Sequence, residues 1–343
     1  MRKVTRDNLE LMQFDSLADH PGLTHALSLH RQSSGERFDF PPSEPEIAKQ
    51  HRRRFCQALD LDPDRLVILR QVHGHHVHVI TADTNTGQPN STNDPPAADA
   101  LCTNLYDIPL MLFGADCPLI LLYDPTAPAI GLAHAGWRPT VGRITQRLAQ
   151  TMIDQLGARP ERMRAAIGPC ICRDCYQVGP EVIQAVYQNL PDLDPDTLLL
   201  PPHPFQTDRS APSQGAIQLS QQDRETSLHG GKVNTPYQPQ PPDKNPPKTS
   251  NQQDFPPDCT GKTPKNTQKC TKKGHFSPQK GHFTQAQFNL ELANSRQLQA
   301  AGLCKYTTEF SGCCTFEKNI FPSHRRDGNQ AGRWALLATL SQP

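Results

Sequence analysis

The sequence has 343 residues, of which 35% are hydrophobic and 34 are proline. Lysine and arginine total 35 against 34 acidic residues, so no strong electrostatic field directs the chain to nucleic acid or to a membrane surface. The hydrophobic content is too low for every residue to share in a core, which indicates that part of the chain lies outside it.

The hydropathy pattern gives no sign of export or membrane insertion. No N-terminal stretch has the charged-then-apolar plan of a signal peptide, and no run of about 18 apolar residues could cross a bilayer. Eleven cysteines without such a signal are typical of reduced thiols in the cytosol. We therefore expect a cytoplasmic protein with neither a membrane nor a nucleic-acid partner.

Short apolar runs in the first half of the chain predict β-strands. They are bounded by Gly, Pro or Asp and are too short to be typical helices. In chain order the runs are RLVILRQVH (65–73), HVHVI (76–80), IPLMLFGAD (108–116), PLILLYD (118–124) and AIGLAHAG (129–136).

Three longer segments predict helices. Residues 140–157 place Val141, Ile144, Leu148, Met152 and Leu156 on one helical face, and Gly157 follows as a C-terminal cap. A second helix is predicted between Pro180 and Pro191, and a third between the cap residue Asn289 and Gly302.

A proline-rich segment separates the second helix from the third. Residues 201–283 contain 14 of the 34 prolines, and 209–281 offer as aliphatic residues only Ile217, Leu219, Leu228 and Val233. So few apolar side chains cannot offset the entropy lost in ordering that backbone. We predict that 203–284 is a low-complexity, disordered insertion.

Strands and helices occur on both sides of this insertion. The predicted fold class is therefore α+β: a single mixed α/β domain over 1–343, with layered β-sheets flanked by helices and interrupted by the long insertion.

Histidines and a cysteine at strand ends are candidate metal ligands. The stretch RQVHGHHVHVI (70–80) carries four histidines, of which His73 closes a predicted strand. Cys117 lies between two strands and His134 ends the next. Two imidazoles and a thiolate would make a three-ligand zinc site with an open fourth position, the form typical of catalytic zinc. Spacing alone favours a packed or surface role for each of the three residues taken singly.

Six sequence blocks occur in the order expected of one family. They are QVHG, ADALCTN, GADCPLILLYDP, AHAGWR, AAIGPCICRDCYQVGPEV and CCTFEKNIFPSHRRDGNQAGRWA. Over residues 66–200 and 286–340 the chain resembles the laccase-domain family, once called multicopper polyphenol oxidases and now described as purine nucleoside phosphorylases. The chain departs from the family's usual pattern at Pro139, Pro322 and His324.

The resemblance implies a zinc site formed by His73, Cys117 and His134, with Cys117 also a catalytic residue. The other histidines of the 70–80 stretch (His75, His76 and His78) are then bystanders. Copper is an alternative occupant in vitro, since nitrogen and sulfur sites generally bind Cu²⁺ more tightly than zinc. Multicopper oxidase chemistry itself is disfavoured, because several copper centres need many histidines and a bridging cysteine, whereas this sequence has one compact histidine cluster and no His-Cys-His run.

The implied reaction is phosphorolysis of adenosine, inosine or methylthioadenosine, so the expected partners are a purine nucleoside and phosphate. Arg138 and Arg325, with Arg326, are candidates to bind the phosphate, because guanidinium matches it bidentately; surface ion pairing is the alternative role. Adenosine deamination is a second implied activity, for which Asp116 is a candidate proton carrier, although strand alternation would point it away from the metal. The oligomeric state stays open.

Two other functions remain open. Cys117 and His134 could form the nucleophile–base pair of a cysteine hydrolase, and family members have been linked to cleavage of peptidoglycan-precursor peptides. Alternatively the chain is a non-catalytic zinc-binding scaffold whose insertion recruits a partner.

The block CICRDC holds three further thiols in C-x-C-x-x-C spacing: Cys170, Cys172 and Cys175. With Cys313 or Cys314 as a fourth ligand they could bind zinc or an iron–sulfur cluster. Because the family often has small residues and cysteines in this block without a cluster, we favour the interpretation without one.

Overall fold

Two six-stranded β-sheets lie face to face at the centre of the fold. The computed structural model describes residues 1–82, 95–201 and 284–342. Its strands are β1 (Arg2–Arg6), β2 (Leu9–Gln13), β3 (Leu23–Ser28), β4 (Val67–Ile68), β5 (Val77–Ile80), β6 (Ala100–Thr103), β7 (Leu110–Gly114), β8 (Leu119–Asp124), β9 (Ala129–His134), β10 (Arg164–Ile167), β11 (Gln177–Val178), β12 (Leu199–Leu200), β13 (Ala286–Phe288), β14 (Thr308–Phe310) and β15 (Trp334–Leu340).

Both large sheets are mixed. The first has the order β1-β2-β3-β15-β7-β4 and the second the order β14-β10-β8-β9-β6-β5. Most neighbours are antiparallel, while β4 with β7, β5 with β6, and β10 with β14 are parallel. A small third sheet, β11-β13-β12, is antiparallel, and its strands β12 and β13 flank the undescribed residues 202–283.

Side-chain alternation along the strands divides the core into layers. Leu110 and Leu112 of β7 pack with Leu119 and Leu121 of β8 in the layer between the two large sheets. The intervening Met111 faces the opposite side of its sheet. Because successive strand residues point to opposite faces, one apolar run serves two layers, which explains why these strands are hydrophobic throughout.

Helices cover the outer faces of both sheets. They are α1 (Pro45–Gln57), α2 (Trp137–Val141), α3 (Ile144–Leu156), α4 (Pro180–Asn189), α5 (Pro195–Leu198), α6 (Leu290–Ala300) and α7 (His324–Asp327). Helix α1 packs on the first sheet, and α3 packs on the second together with the end of α6. The predicted fold class, mixed α/β with layered sheets flanked by helices, is confirmed.

The helix predicted over 140–157 is broken near its start. The chain forms the short α2, leaves the helix at Gly142, and begins α3 at Ile144 after Arg143, whose φ of 61° is left-handed. That conformation interrupts the helical hydrogen bonds, so the two helices take different directions. The C-terminal cap at Gly157, with φ 72°, agrees with the prediction.

The other two predicted helices are present as α4 and α6. At the start of α6 the side chain of Asn289 accepts a hydrogen bond from the backbone N–H of Leu292 at 3.0 Å, as expected of an N-cap. Strands β1 to β3, β6 and β10 to β15 and helices α1, α5 and α7 lie outside the elements predicted from the sequence. The predicted insertion, 203–284, lies outside the described residues apart from Thr284, so it and the domain extent 1–343 remain predictions.

No helix among the described residues is both long and apolar enough to cross a bilayer.

A buried histidine makes the stability of the fold depend on pH. His25 on β3 is 1% exposed, and its Nε2 accepts a hydrogen bond from the backbone N–H of Phe14 at 3.0 Å. Burial lowers the pKa of this imidazole to about 4. The pKa in the folded state thus lies below the usual 6.5, so the neutral ring stabilises the fold fully above pH 6.5 and loses this contribution as the pH falls toward 4.

We expect the free energy of unfolding to fall between pH 7 and pH 4, with His25 contributing on the order of 3 kcal/mol. Urea unfolding at a series of pH values measures this, and His25→Gln should flatten the slope. The exposed His76→Gln is the control and should leave the slope unchanged. A His25→Gln protein with the wild-type slope would contradict the assignment.

Candidate metal centre

His73, Cys117 and His134 meet although they are far apart in the sequence. The donor atoms of the three side chains all lie within 4.8 Å of one another. The two imidazole rings are 4.9 Å apart between centroids and nearly perpendicular, at 80°. His134 is buried, Cys117 is half-buried and His73 is exposed, so the group is open on one side.

The His73 loop is fixed by hydrogen bonds on both sides. The side-chain amide of Gln71 pairs with the backbone of Phe113 on β7, donating at 2.8 Å and accepting at 2.9 Å. The N–H groups of Val72 and Gly74 donate to one carboxylate oxygen of Asp99 at 3.1 and 2.7 Å. His73 itself has a φ of 56°, a left-handed conformation that non-glycine residues adopt rarely and mostly where the surroundings impose it.

Asp99 orients the second histidine as well. Its other carboxylate oxygen lies 2.9 Å from Nδ1 of His134, and its backbone carbonyl accepts from the His134 N–H at 2.7 Å. With Nδ1 engaged by a carboxylate, Nε2 of His134 carries the lone pair for a metal, an arrangement common to metal-binding histidines. Sequence reasoning did not single out Asp99, although it lies in the matched block ADALCTN.

Cys117 is held by the tight turn between β7 and β8. Asp116, just before it, has a φ of 80°. The Asp116 carboxylate accepts hydrogen bonds from the hydroxyl of Thr315 and from the backbone N–H of Arg325, both at 2.6 Å. Its backbone carbonyl accepts from the N–H of Ile171 at 2.9 Å. Asp116 therefore braces the loop against two other segments, a role different from the proton carrier that we considered.

Gly136 leaves the space that the Cys117 thiol occupies. The register that pairs Leu119 with His134, continued by two residues, places Cys117 opposite Gly136. A Cβ atom at position 136 would lie 2.7 Å from the Cys117 sulfur and 3.5 Å from the His73 ring. Only a residue without a side chain lets the strand end pass this close to the three donors.

The charges of the group stabilise one another. Burial raises the pKa of the Cys117 thiol, but His134 and His73 outweigh this effect and bring it down to about 7. Burial lowers the pKa of His134, but the Cys117 thiolate and the Asp99 carboxylate raise it to about 9. A thiolate is therefore available near neutral pH, which both metal binding and nucleophilic chemistry require.

The donor set fits a transition-metal ion. Two imidazole nitrogens and one thiolate are ligands that zinc and copper both accept, and the open side leaves a position for water or substrate. Two further features are typical of a metal site: the Asp99 carboxylate contacts the His134 ring, and Gly136 has no side chain that would fill the space of the Cys117 sulfur. The assignment of His73, Cys117 and His134 as ligands remains a prediction.

A cavity of about 590 Å³ opens directly onto the three residues. This volume lies in the range usual for sites that bind small molecules and cofactors. Apart from His73, Cys117 and His134, its lining consists of Phe40, Pro41, Pro42, Pro45, Ala48, Arg52, Leu69, Gln71, Phe113, Gly114, Ala115, His324 and Arg333.

Two arginines of this lining were missed from the sequence. Arg52 on α1 is half-buried and makes no hydrogen bond or ion pair with another described residue. Arg333, also half-buried, donates through one nitrogen to the carbonyls of Ala331 and Gly332, each at 2.9 Å. Arg333 follows Gly332 in the matched C-terminal block, while Arg52 lies in a segment for which no element or motif was predicted.

The predicted phosphate ligands Arg138 and Arg325 lie outside the lining of this cavity. Both side chains are exposed. The guanidinium of Arg138 stacks on Trp137 at 4.2 Å and lies 3.4 Å from Glu181. That of Arg325 lies over the ring of Tyr176 at 5.3 Å. Their substrate-binding role remains a prediction.

Arg326, the third candidate, donates to the carbonyls of Thr315, Phe316 and Phe321 and pairs with Asp327. These contacts tie its guanidinium to the surrounding backbone.

The three neighbouring histidines stay outside the group. His75 packs against Gly142: a Cβ atom added at position 142 would lie 2.8 Å from the Cβ of His75. His76 is exposed, and His78 lies on β5. None of them belongs to the metal-ligating groups found among the described residues.

A comparison with protein families matches most of the chain. The model described as multi-copper polyphenol oxidoreductase laccase matches residues 42–210 and 253–341. A purine nucleoside phosphorylase of Deinococcus radiodurans is 42% identical over 149 residues, which cover 43% of this chain and 54% of that protein. The adenosine deaminase RL5 of an unknown prokaryotic organism is 40% identical over 138 residues, covering 39% and 51%. The chain thus spans about half the length of these relatives.

Solved structures share the fold over nearly the whole chain. YlmD from Geobacillus stearothermophilus aligns with a TM-score of 0.64 at 21% identity, covering 100% of this chain and 98% of that chain. The hypothetical protein YfiH of Bacillus licheniformis aligns with a TM-score of 0.65 at 21% identity, covering 97% and 96%. At this identity the likeness shows the fold alone.

We expect Gly136→Ala to weaken metal binding at least about tenfold, because the new methyl group would displace the Cys117 sulfur. Substitution of residues that only hydrogen-bond to a metal ligand already lowers metal affinity by this factor. Titration with zinc in competition with a chromophoric chelator measures the affinity. Gly179→Ala is the matched control, since no atom lies within 4 Å of an added Cβ there. Equal affinity of the two variants would refute the role of Gly136.

Proposed function

Because this chain belongs to the multi-copper polyphenol oxidoreductase laccase family, we propose that it is a zinc-dependent purine nucleoside phosphorylase acting on adenosine, inosine or methylthioadenosine. The relatives named purine nucleoside phosphorylase support the reaction class. The relative named adenosine deaminase supports adenosine deamination as a second activity. Zinc, rather than copper, is the metal that we assign to His73, Cys117 and His134.

The observation that carries the proposal is the cavity that opens onto the three candidate ligands. It is large enough for a nucleoside and combines aromatic walls with cationic groups. Phe40 and Phe113, whose ring centroids are 5.2 Å apart, offer apolar surface to a purine base. The cavity thus offers apolar surface to a purine and positive charge to an anion.

Arg52 and Arg333 are the residues we assign to phosphate. Burial lowers the pKa of both guanidinium groups, yet arginine stays charged because its ordinary pKa is so high. Glu46 and Asp116 lie within electrostatic reach of Arg52 and Arg333, but neither guanidinium forms a salt bridge with a carboxylate of the described residues, so each can take an anion as a closer counter-charge. Arg333 also lies within electrostatic reach of Cys117, so an anion bound there is near the candidate ligands.

In phosphorolysis a phosphate oxygen forms a bond to the anomeric carbon while the bond from that carbon to the purine nitrogen breaks. The purine leaves with the electron pair and takes up a proton. Arg52 and Arg333 would hold the nucleophile in place, and the walls of the cavity would limit competition from water. A zinc ion bound to His73, Cys117 and His134 supplies a Lewis acid in the same cavity.

One geometric feature favours a second function, a cysteine hydrolase. Cys117, His134 and Asp99 follow one another as nucleophile, base and orienting carboxylate, with 2.9 Å between the His134 ring and Asp99. In that case Cys117 would attack a carbonyl carbon, and peptidoglycan-precursor peptides are the substrate class. A zinc-binding scaffold without catalysis is the third function that the experiments below distinguish.

The state of the cysteines agrees with a cytoplasmic location, which we also propose. No disulfide joins any two of the nine cysteines among the described residues. Cysteines in such number without disulfides between them are typical of a reducing compartment.

We expect Arg52→Ala and Arg333→Ala to raise the KM for phosphate about tenfold or more, because each removes a charged hydrogen-bond donor to a dianion. Steady-state phosphorolysis of adenosine at varied phosphate measures it, and the KM for adenosine should change less. Arg138→Ala and Arg325→Ala are the comparison. If they raise the phosphate KM and the cavity variants do not, phosphate binds where the sequence first suggested.

We expect Cys117→Ala to abolish nucleoside turnover and to lower the bound zinc by about one ion per chain relative to the wild type, because two histidines hold the metal weakly. Metal content by mass spectrometry and turnover of adenosine are measured on one preparation. Loss of activity with the same zinc content as the wild type would favour the hydrolase, since removing a nucleophile leaves a metal site intact. His75→Ala, which changes an imidazole outside the group, should alter neither quantity. Bound zinc without turnover of any nucleoside by the wild type would favour the scaffold.

A further inference from the structure

A second group of metal-ligating side chains lies apart from the cavity. It consists of the thiols of Cys172, Cys175 and Cys314 and the carboxylate of Glu317, whose donor atoms all lie within 4.8 Å of one another. Cys314 is buried, Cys172 and Cys175 are half-buried, and Glu317 is exposed. None of the four lines the cavity at His73.

Two chain segments hold these donors in place. Cys172 and Cys175 stand on either side of one 3-10 turn, in which the N–H of Cys175 donates to the carbonyl of Cys172 at 3.1 Å. An isolated β-bridge pairs Cys170 with Cys314, and the N–H of Thr315 donates to the carbonyl of Cys170 at 3.0 Å. The group therefore joins a C-x-x-C turn to a segment that is more than 130 residues further along the chain.

The polar atoms of the group already face one another. The backbone N–H of Cys172 points at the sulfur of Cys314 at 3.4 Å, and the thiol of Cys175 donates to the carboxylate of Glu317 at 3.4 Å. An N–H directed at a sulfur stabilises that sulfur as a thiolate. Burial raises the pKa of Cys172 and of Cys175; the contact with Cys314 adds to this at Cys172, and the contact with Cys172 adds to it at Cys175.

We propose that Cys172, Cys175, Cys314 and Glu317 bind one zinc ion in a closed structural site. Three thiolates and a carboxylate fill the four tetrahedral positions that structural zinc requires, with no position left for substrate. Two zinc–sulfur bonds of about 2.3 Å would bring sulfurs roughly 3.8 Å apart, within the spread of these donors.

The same geometry argues against the alternatives. An iron–sulfur cluster takes four cysteine thiolates, whereas the fourth donor here is Glu317. Cys170 and Cys313, which the sequence offered as ligands, stay outside the group: both are buried, and Cys170 lies within electrostatic reach of Glu291. The proposal departs from our interpretation from the sequence, which favoured no metal here: it keeps Cys314, the candidate named from the sequence, and puts Glu317 in place of Cys170.

Such an ion would act as a clip between the two parts of the chain that flank residues 202–283. Cross-links that close long loops gain the most in principle, because they remove the most chain entropy. The clip would also support the candidate metal centre, since Thr315, next to Cys314, donates its hydroxyl to Asp116 beside Cys117.

The test uses the full chain with its first site disabled. In the His73→Ala/Cys117→Ala background, purified with reduced thiols and loaded with zinc, we expect roughly one tightly bound zinc per chain. Adding Cys175→Ser and Cys314→Ser should remove it. Adding Cys304→Ser, which changes a half-buried cysteine outside the group, should leave it bound. Replacement of zinc by cobalt(II) should give a charge-transfer absorption with the intensity of three thiolates in a tetrahedral field.

The cysteine variants could lose zinc because they fail to fold. Glu317→Gln avoids this ambiguity, because Glu317 is exposed and its side chain can be changed without disturbing the core. It should lower the zinc affinity at least about tenfold while the far-ultraviolet circular dichroism stays the same. The proposal is overturned if the background protein binds no zinc with its thiols reduced. It is equally overturned if the bound zinc is unaffected by the cysteine and Glu317 changes, or if the iron absorption of a cluster appears instead.

Discussion

One carboxylate, that of Asp99, determines the geometry of the candidate metal centre. One of its oxygens accepts hydrogen bonds from the N–H groups on either side of His73, and the other orients the ring of His134. Burial raises the pKa of this group, yet the hydrogen bonds from His134, Gly74 and Val72 outweigh burial and lower it. The charge of Asp99 is thus retained in the interior by the very groups that it positions.

The sheets decide where that carboxylate lies. Asp99 immediately precedes β6, which pairs with β9, and His134 ends β9. The Cys117 turn joins β7 of the first sheet to β8 of the second, so it crosses from one layer to the other. A centre built at such a crossing draws on both sheets, and a change in the register of either would separate its donors.

The sequence allowed part of this to be predicted, for definite physical reasons. The central strands are apolar throughout because both faces are buried, and His73, Cys117 and His134 stand at their ends. Strand β1 was not predicted because it is mostly exposed and its only apolar residue, Val4, is half-buried. The roles of Asp99 and Arg52 depend on contacts between distant segments, which no local pattern records. Arg138 and Arg325 drew attention because they adjoin matched motifs, while their side chains contact Trp137 and Tyr176.

The small third sheet has a consequence for how this fold accepts foreign sequence. Leu200 of β12 pairs with Gln287 of β13, so the chain leaves the described fold and returns to it at neighbouring points. Strands β12 and β13 are thus paired as in a hairpin, and residues 202–283 lie between them in the sequence. For a flexible loop, each doubling of its length costs only about 0.6 kcal/mol in closure entropy. We therefore expect this position to tolerate the insertion of a folded domain, such as a fluorescent protein, whose termini lie close together.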